Sequence, residues 1–209
     1  DSVLNQSYSN IELIVVDDGS TDRTAEIVNE YGNKICCFNK VNGGVATARN
    51  LGIKHSLGKY VAFLDADDIW EAEKIEKQVI FLEKNIDFGI VTTSVFFIDI
   101  FGAPSHGFSL RSIYPKDGWN FENLLKRFCL FPSAILVRKD VVNAVGFFDD
   151  DQSAAEDIDY FLRILKKYKL AVIDEPLTRY RIRNSDSLGS SVYSYMEREK
   201  VLRKYDGMI

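Results

Sequence analysis

Histidine and cysteine are scarce in this chain of 209 residues, which contains two histidines and three cysteines. Cys36 and Cys37 are adjacent and Cys129 lies far from them, a spacing that matches neither a zinc motif nor a disulfide framework. An odd number of thiols is typical of a reducing compartment. A zinc enzyme with histidine ligands would be hard to assemble here, and we expect the thiols to be small buried or half-buried side chains.

Long apolar runs and a surplus of basic residues are also missing. No segment approaches the ~20 apolar residues that cross a bilayer, and no signal-peptide pattern opens the sequence. The formal net charge of -5 argues against a general nucleic-acid binder, since such proteins are usually basic. A nucleotide ligand remains compatible with this charge, because a bound divalent cation offsets phosphate charge locally. We therefore expect a cytoplasmic protein with no nucleic-acid partner.

What the chain does contain is an alternation of strand-like and helix-like segments. Short apolar runs, such as those at 11–16 and 60–64, predict buried strands. Apolar residues spaced three and four apart predict helices, most strongly after residue 156. Strands that alternate with helices imply a mostly parallel sheet covered on both faces. We predict a single α/β domain over residues 1–209.

Two of the predicted strands end in acidic clusters, Asp17 and Asp18 after the first and Asp65, Asp67 and Asp68 after a later one. In open α/β sheets, ligands bind beyond the carboxyl ends of the strands. If the two strands are parallel neighbours, both clusters therefore meet at one crevice. Asp65 and Asp67 point the same way on extended backbone and could share Mg²⁺ or Mn²⁺ with a diphosphate. The alternative is that each cluster is a solvated turn before a helix.

Two further segments carry candidate ligand-binding and catalytic side chains. Gly43 and Gly44 would let the backbone approach a ligand closely, and Arg49 could face a phosphate or pair with an aspartate. Asp157, beside Glu156 at the start of the most periodic helix, is a candidate general base. The simpler interpretations are a loop with a salt bridge, and acidic residues favoured by the helix dipole.

Together these segments resemble the family 2 glycosyltransferases. The resemblance rests on five motifs in order: Ser-Val-Leu-Asn-Gln-Ser-Tyr at 2–8, Ile-Val-Val-Asp-Asp-Gly-Ser-Thr-Asp at 14–22, Asn-Gly-Gly-Val-Ala-Thr-Ala-Arg-Asn at 42–50, Phe-Leu-Asp-Ala-Asp-Asp at 63–68 and Glu-Asp-Ile-Asp at 156–159. It implies a GT-A fold, in which about residues 1–100 form the nucleotide-sugar-binding half. About residues 101–209 would form the half that binds the acceptor and carries the catalytic base.

The resemblance also implies roles for individual residues. Asp18 matches the aspartate that contacts the base, usually uracil, Asp65 matches the residue near the ribose, and Asp67 matches the metal ligand. The implied nucleotide-sugar-binding residues are Asp17, Asp18, Gly43, Gly44, Arg49 and Asp65, the implied metal ligands are Asp67 and Asp68, and the implied catalytic residues are Asp157, as base, and Glu156.

The reaction implied by the resemblance is sugar transfer with inversion, from a nucleoside-diphosphate donor such as a UDP-sugar to a hydroxyl of a carbohydrate or lipid-linked acceptor. It would use Mn²⁺ or Mg²⁺ and serve cell-envelope polysaccharide assembly, with peripheral association at the inner face of the membrane. A phosphotransferase with an aspartyl nucleophile is disfavoured, because the residues after Asp67 lack its expected continuation. A non-catalytic sugar-nucleotide-binding module would keep Asp18 and Asp67 but could dispense with Asp157.

Two features depart from the family pattern. Members usually begin with a strand that carries a Pro-Thr-Tyr-Asn-like segment, and this sequence starts after it. We expect the natural protein to have that strand, because a sheet without a central strand exposes unpaired backbone. Arg183 stands where many relatives carry a histidine, two residues after Arg181. Either arginine could bind phosphate or lie on an exposed edge strand.

Acceptor recognition is expected in the irregular stretch at 103–133. Its aromatic residues either stack on sugar rings or pack in the core, which is the commoner fate of such side chains. They are Phe108, Tyr114, Trp119 and Phe121.

Overall fold

The computed structural model describes residues 1–127, 129–152, 154–182 and 192–205. The helices are α1 (Thr24–Asn29), α2 (Val45–His55), α3 (Lys74–Lys84), α4 (Phe121–Arg127), α5 (Lys139–Val145), α6 (Glu156–Leu165) and α7 (Val192–Arg203). The strands are β1 (Ile14–Asp17), β2 (Cys36–Asn39), β3 (Tyr60–Ala62), β4 (Ile69–Trp70), β5 (Phe88–Ile98), β6 (Pro104–Phe108), β7 (Ile135–Arg138) and β8 (Lys169–Arg181). Among the described residues, no helix is both long and apolar enough to cross a membrane.

The strands form two sheets. β1 and β2 make a parallel pair, and the larger sheet has the order β3-β7-β5-β8-β4, with β6 also paired to β5. The α/β class and the mixed sheet are confirmed, but the parallel share is smaller than the sequence led us to expect. In the larger sheet, β5 and β8 are parallel and the other pairs are antiparallel. Short links such as residues 99–103, between β5 and β6, leave no room for the crossover that parallel pairing requires.

Among the described residues, the two acid-tipped strands, β1 and β3, are not paired with each other, so the condition of parallel neighbouring strands is not met. Within the described residues, β1 pairs with β2 alone and β3 with β7 alone. A groove of about 490 Å³ separates β1 from β3 and is lined by residues 14–16 and 60–64, with α2 alongside. Both strands therefore turn an unpaired backbone edge towards the groove.

Helices cover the larger sheet on both faces, as the alternating pattern predicts. Side chains at successive positions of a strand point to opposite faces. On β5, Ile90 joins the core that contains α6, and Val91 joins the core that contains α3. The strong helical periodicity after residue 156 is explained by this position, since Phe161 and Leu162 are almost fully buried against the sheet.

β8 is one long strand, although the separate apolar runs at 170–173 and 177–182 predict two strands from the sequence. The supposed break is the polar segment that ends at Pro176, which pairs with Ser94 of β5 at a register shift. A proline has no N–H group to give to a ladder, so it is tolerated where pairing is already irregular. This continuity matters for the site, because the far end of β8 reaches the acidic loop after β3.

Candidate active site

β1 ends in a tight turn that is built around Asp17 and Gly19. The Asp17 carboxylate accepts a hydrogen bond from the N–H of Ser20 (2.8 Å), and this contact with Ser20 lowers the pKa of Asp17. Gly19 has φ of 81°, and a Cβ at this position would lie 2.9 Å from the amide nitrogen of Asn42. The Asp17 carboxylate therefore stabilises the turn, and the turn packs against the loop that follows β2.

Gly19→Ala is expected to destabilise the protein by more than Gly32→Ala. Both glycines have left-handed backbone, which costs other residues about 1–2 kcal/mol. A Cβ at Gly32 would meet nothing within 4 Å, so only Gly19→Ala adds a backbone clash. Urea unfolding of the two variants measures the difference. Equal losses would contradict the close packing of the turn against the loop.

Asp18 holds the glycine loop. Its carboxylate accepts hydrogen bonds from the N–H groups of Gly43 (3.0 Å) and Gly44 (2.8 Å), and it forms an ion pair with Lys40. Partial burial opposes ionisation, but these contacts outweigh it and hold the pKa of Asp18 below its ordinary value. The structure thus brings together three residues that were predicted from two separate motifs.

Lys40 was missed by the sequence reasoning, although a signal for it exists. β1 and β2 are parallel with Asp17 opposite Asn39, so the next residues, Asp18 and Lys40, also face each other. An acidic residue that ends one strand and a basic residue that ends its partner would have identified the pair. The register had to be known first.

Arg49 links the loop after β3 to the start of α6. Its guanidinium donates from Nη2 to Oδ1 of Asp65 (2.8 Å) and from Nη1 to Oε1 of Glu156 (2.7 Å). The Arg49 side chain is only 11% exposed, so the two ion pairs are largely shielded from water. Burial opposes its charge, but the two carboxylates outweigh burial and raise the pKa of Arg49. The expected pairing with an aspartate is confirmed, and a phosphate contact stays a prediction.

Asn50 reinforces this junction from the next position of α2. Its side chain donates to the carbonyl of Phe148 and accepts from the N–H of Phe148, both at 2.9 Å. The ring of Phe148 also lies 5.5 Å from the Arg49 guanidinium carbon. The helix that follows the glycine loop is therefore fastened to the segment that leads into α6.

α6 begins with the two candidate catalytic residues. Ala155 precedes them with φ of 60°, a left-handed conformation that is costly outside glycine and often marks functional sites. Asp157 Oδ1 accepts the N–H of Ile158 (2.8 Å). Burial raises the pKa of Glu156 and of Asp157, and the nearby Arg49 opposes it. A carboxylate with a raised pKa is a better proton acceptor near neutral pH than an ordinary one.

The acidic loop, residues 65–68, lies between α2 and the end of β8. Asp65 faces Arg49, whereas Asp68 is buried on the other side and accepts the N–H of Arg181 at Oδ1 (2.8 Å). The other oxygen, Asp68 Oδ2, is buried without a hydrogen-bond partner. Burial raises the pKa of Asp68 to about 6, although contacts with Ser133 and Arg181 oppose it. Arg183 lies outside the described residues.

The acidic loop carries donor atoms that suit a divalent cation, whose coordination would be completed by oxygens of a bound ligand. No three or more His, Cys, Asp and Glu side chains come together as a metal cage within the described ranges. The donors that are present are carboxylate oxygens, which suit Mg²⁺ and Mn²⁺, and Asp68 Oδ2 lacks a partner. Mg²⁺ is commonly held by one or two carboxylates together with phosphate oxygens.

α2 brings the two acidic regions near each other although their strands do not pair. Gly44, which binds Asp18, precedes α2, and Arg49, which binds Asp65, lies five residues later. At 1.5 Å per residue, this separation is about 7.5 Å along the helix axis. Asp18 and Asp65 are therefore both bound by residues at the start or in the first half of the same helix.

Comparison with known proteins identifies the family. The sequence profile described as Glycosyl transferase family 2 matches residues 1–146. The chain belongs to this family. An uncharacterized glycosyltransferase of Rickettsia typhi is 32% identical over 205 residues, which cover 95% of this chain and 63% of the relative. The putative teichuronic acid biosynthesis glycosyltransferase TuaG of Bacillus subtilis is 31% identical over 191 residues, which cover 88% of this chain and 72% of TuaG.

Solved structures support the GT-A fold of this family 2 chain. S. aureus TarS 1-349 in complex with UDP-GlcNAc superposes with a TM-score of 0.75 at 21% identity, covering 96% of this chain and 59% of TarS 1-349. The mannosyltransferase PcManGT from Pyrobaculum calidifontis, in complex with GDP-Man and Mn²⁺, gives 0.67 at 19% identity, covering 89% and 52%. The chain thus spans less than two thirds of these proteins and of the Rickettsia typhi relative.

Proposed function

We propose that this family 2 chain transfers a sugar from a nucleoside-diphosphate donor to a hydroxyl of a carbohydrate or lipid-linked acceptor, with inversion. The observation that carries the proposal is the position of Arg49 between Asp65 and Glu156. It joins the acidic loop, which suits a diphosphate and its cation, to the start of α6, where Asp157 is the second residue. This link, together with the raised pKa of Asp157, supports a site in which the donor binds close to the proton acceptor.

The donor is proposed to be a UDP-sugar. TarS 1-349 and PcManGT hold a nucleoside-diphosphate sugar in structures of the same fold. In this chain the base would meet Asp18, whose carboxylate now binds Gly43 and Gly44, and the ribose would lie near Asp65. Because the carboxylate of Asp18 is ionised and faces the N–H groups of the glycine loop, an N–H group of a base would compete with them for it.

A divalent cation, Mn²⁺ or Mg²⁺, would be held by Asp67 and Asp68 together with the diphosphate. When bound, it would neutralise the charge that builds up on the departing diphosphate. The solved neighbour with Mn²⁺ supports the choice of ion. The partnerless Oδ2 of Asp68 supports the choice of residue.

Asp157 is the proposed general base. The acceptor hydroxyl gives its proton to the Asp157 carboxylate while its oxygen forms a bond to the anomeric carbon. The bond from that carbon to the diphosphate oxygen breaks on the opposite face, so the product has inverted configuration. Arg49 lowers the pKa of Asp157, but its ion pairs with Glu156 and Asp65 offset part of this effect.

A cluster of aromatic rings beside the acidic loop supports a carbohydrate acceptor. The rings of Phe131 and Tyr180 lie 4.8 Å apart, and that of Phe97 lies 5.0 Å from the exposed His106. Burial raises the pKa of Tyr180 to about 12, and Asp68 adds to this shift, so the ring adjoins the acids. Aromatic faces suit the apolar faces of sugar rings.

The aromatic residues named from the sequence divide between this cluster and the core. Phe108 belongs to the cluster, with its ring 6.0 Å from that of Phe97. Tyr114 is fully buried and Phe121 packs on Tyr205, so both serve the core. Trp119 is exposed.

The proposed product class and cellular location are based on a carbohydrate or lipid-linked acceptor. A relative named for teichuronic acid biosynthesis supports cell-envelope polysaccharide as the product class. We extend the proposal to the inner face of the membrane, where a peripheral enzyme would meet a cytoplasmic donor and a lipid-linked acceptor.

A donor panel tests the proposed function. UDP-Glc, UDP-GlcNAc, UDP-Gal and GDP-Man are titrated into the full-length protein with Mn²⁺ and with EDTA, and donor hydrolysis is followed in the same samples. We expect at least one UDP-sugar to bind in a Mn²⁺-dependent way and to be hydrolysed. Binding without any turnover would favour the non-catalytic module, and no binding at all would refute the donor site.

A further inference from the structure

The acidic loop is held by a residue far away in the sequence, Arg181 at the end of β8. Its Nε donates to the carbonyl of Asp67 (2.8 Å), and its backbone N–H donates to the carboxylate of Asp68 (2.8 Å). A third bond, from Nη1 to the carbonyl of Asp99 (2.6 Å), fixes the guanidinium to the turn after β5. One side chain therefore ties the loop to the two long strands of the larger sheet.

Ser133 holds the same loop from the buried side. It is fully buried, its Oγ accepts the N–H of Asp65 (3.1 Å), and it interacts with the carboxyl of Asp68. Its own carbonyl accepts hydrogen bonds from Trp70 Nε1 (2.7 Å) and Thr178 Oγ1 (3.3 Å), two residues that pair across β4 and β8. Ser133 is thus fixed by the sheet and has little freedom to shift.

We propose that Arg181 and Ser133 are positioning residues that hold residues 65–68 in the geometry needed to take a divalent cation together with a diphosphate. The proposal rests on the proposed function. Neither residue touches donor or acceptor in it, and both act through Asp67 and Asp68. This role differs from the two considered for Arg181 from the sequence, and it rests on the bonds that its Nε and Nη1 donate to the carbonyls of Asp67 and Asp99.

The physical reason is repulsion within the loop. Three carboxylates within four residues repel one another until a cation binds, so a free loop would spread. Contacts that orient the ligands of a metal typically change its affinity by 10–100-fold when they are removed. Arg181 donates to the carbonyl of Asp67 and to Oδ1 of Asp68, so it holds the loop compact without adding negative charge. Asp68 Oδ2 is left without a hydrogen-bond partner.

The test compares Arg181→Met, Arg181→Lys and Ser133→Ala with Arg179→Met. Arg179 lies two residues earlier on β8 and pairs with the exposed Glu71, so its loss should leave the loop intact. Mn²⁺ affinity is measured by titration with UDP present, and amide hydrogen exchange of residues 65–68 is measured on the same protein without ligands. Thermal unfolding confirms that each variant is folded.

We expect Arg181→Met and Ser133→Ala to weaken Mn²⁺ binding at least 10-fold and to speed amide exchange at residues 65–68. Arg181→Lys should recover part of the affinity, because one ammonium can replace one of the two side-chain bonds. Arg179→Met should match the wild type in both measurements.

The possible outcomes separate this inference from the proposed function. Unchanged exchange in both Arg181→Met and Ser133→Ala would overturn the inference, as would faster exchange with wild-type Mn²⁺ affinity. If the wild type itself binds neither UDP nor Mn²⁺, the proposed function fails, and with it the purpose assigned to the two residues. Exchange would then still report whether they hold the loop.

Discussion

Asp157→Asn is expected to slow sugar transfer by about 10²–10⁴-fold while leaving donor binding close to that of the wild type. The amide cannot accept the proton of the acceptor hydroxyl. It has the same shape as the carboxylate, and its oxygen can still accept the N–H of Ile158. The measurements are the turnover number for transfer or donor hydrolysis, and donor affinity by calorimetry.

Asp151→Asn is the matched control, because Asp151 is an exposed acid that precedes α6 in the same region of the chain. It should transfer at the wild-type rate. Near-normal transfer by Asp157→Asn would remove Asp157 from its role as base. Loss of donor binding by that variant would instead show that Asp157 helps to hold the donor.

The pH dependence of the wild type follows from the same residue. Burial raises the pKa of Asp157 above its ordinary value of 3.8. A general base acts only when it is deprotonated, so kcat/KM should fall as pH drops through a pKa above 3.8. The acid limb should be absent from the residual activity of Asp157→Asn.

Arg49→Met is expected to lower the free energy of unfolding by about 3 kcal/mol, the scale found when one partner of a buried ion pair is removed. The Arg49 and Glu156 side chains are 11% and 10% exposed, so the carboxylate left behind cannot be solvated fully. The variant also loses the contact between the guanidinium and the Phe148 ring. Urea denaturation at several pH values measures the loss.

The sign of the pH effect provides a second check. Without Arg49, the folded-state pKa of Glu156 rises further above its unfolded value, because the guanidinium no longer opposes the effect of burial. The folded variant then binds protons more tightly than the unfolded chain, and stability falls as pH rises through the folded pKa. The loss caused by Arg49→Met should therefore be smaller at acidic pH and largest at alkaline pH.

Two comparisons isolate the buried pair. Arg23→Met removes an ion pair to Glu26 whose side chains are 79% and 69% exposed, and it should cause no measurable change. Arg49→Met combined with Glu156→Gln should recover part of the loss, because the neutral amide needs no counter-charge. Equal stability of Arg49→Met and the wild type would show that the ion pairs of Arg49 with Asp65 and Glu156 contribute nothing to the free energy of unfolding.

Local patterns predicted the parts of this fold that depend on local chemistry. Apolar periodicity after residue 156 predicted α6, and the acidic residues that follow two predicted strands indicated Asp18 and the loop at 65–68 as candidate site residues. The parallel share of the sheet could not be obtained in this way. Strand direction depends on which distant segment lies beside each strand, and periodicity within one segment carries no information on that.

The residues that contact the site residues could not be predicted from local sequence patterns either. Lys40 and Ser133 belong to no motif, and the contacts of Arg181 with the acidic loop had no signal in the sequence; each residue reaches the site through pairing of strands or packing across the sheet. For Arg49 the sequence offered a phosphate or an aspartate as partner, and only the structure shows the pairing with Asp65 and with Glu156. Such contacts join residues separated by up to 114 positions, which no local signal spans.

Paramagnetic broadening by Mn²⁺ tests most directly whether the glycine loop, the acidic loop and the start of α6 serve one donor site. Amide signals of ¹⁵N-labelled protein are recorded with Mn²⁺ alone and with Mn²⁺ plus UDP. We expect UDP to enhance broadening that is strongest at residues 65–68 and extends to residues 43–44 and 156–158. Broadening that is the same with and without UDP, or that is strongest near exposed acids elsewhere such as Glu122, would contradict a single donor site formed by these three segments.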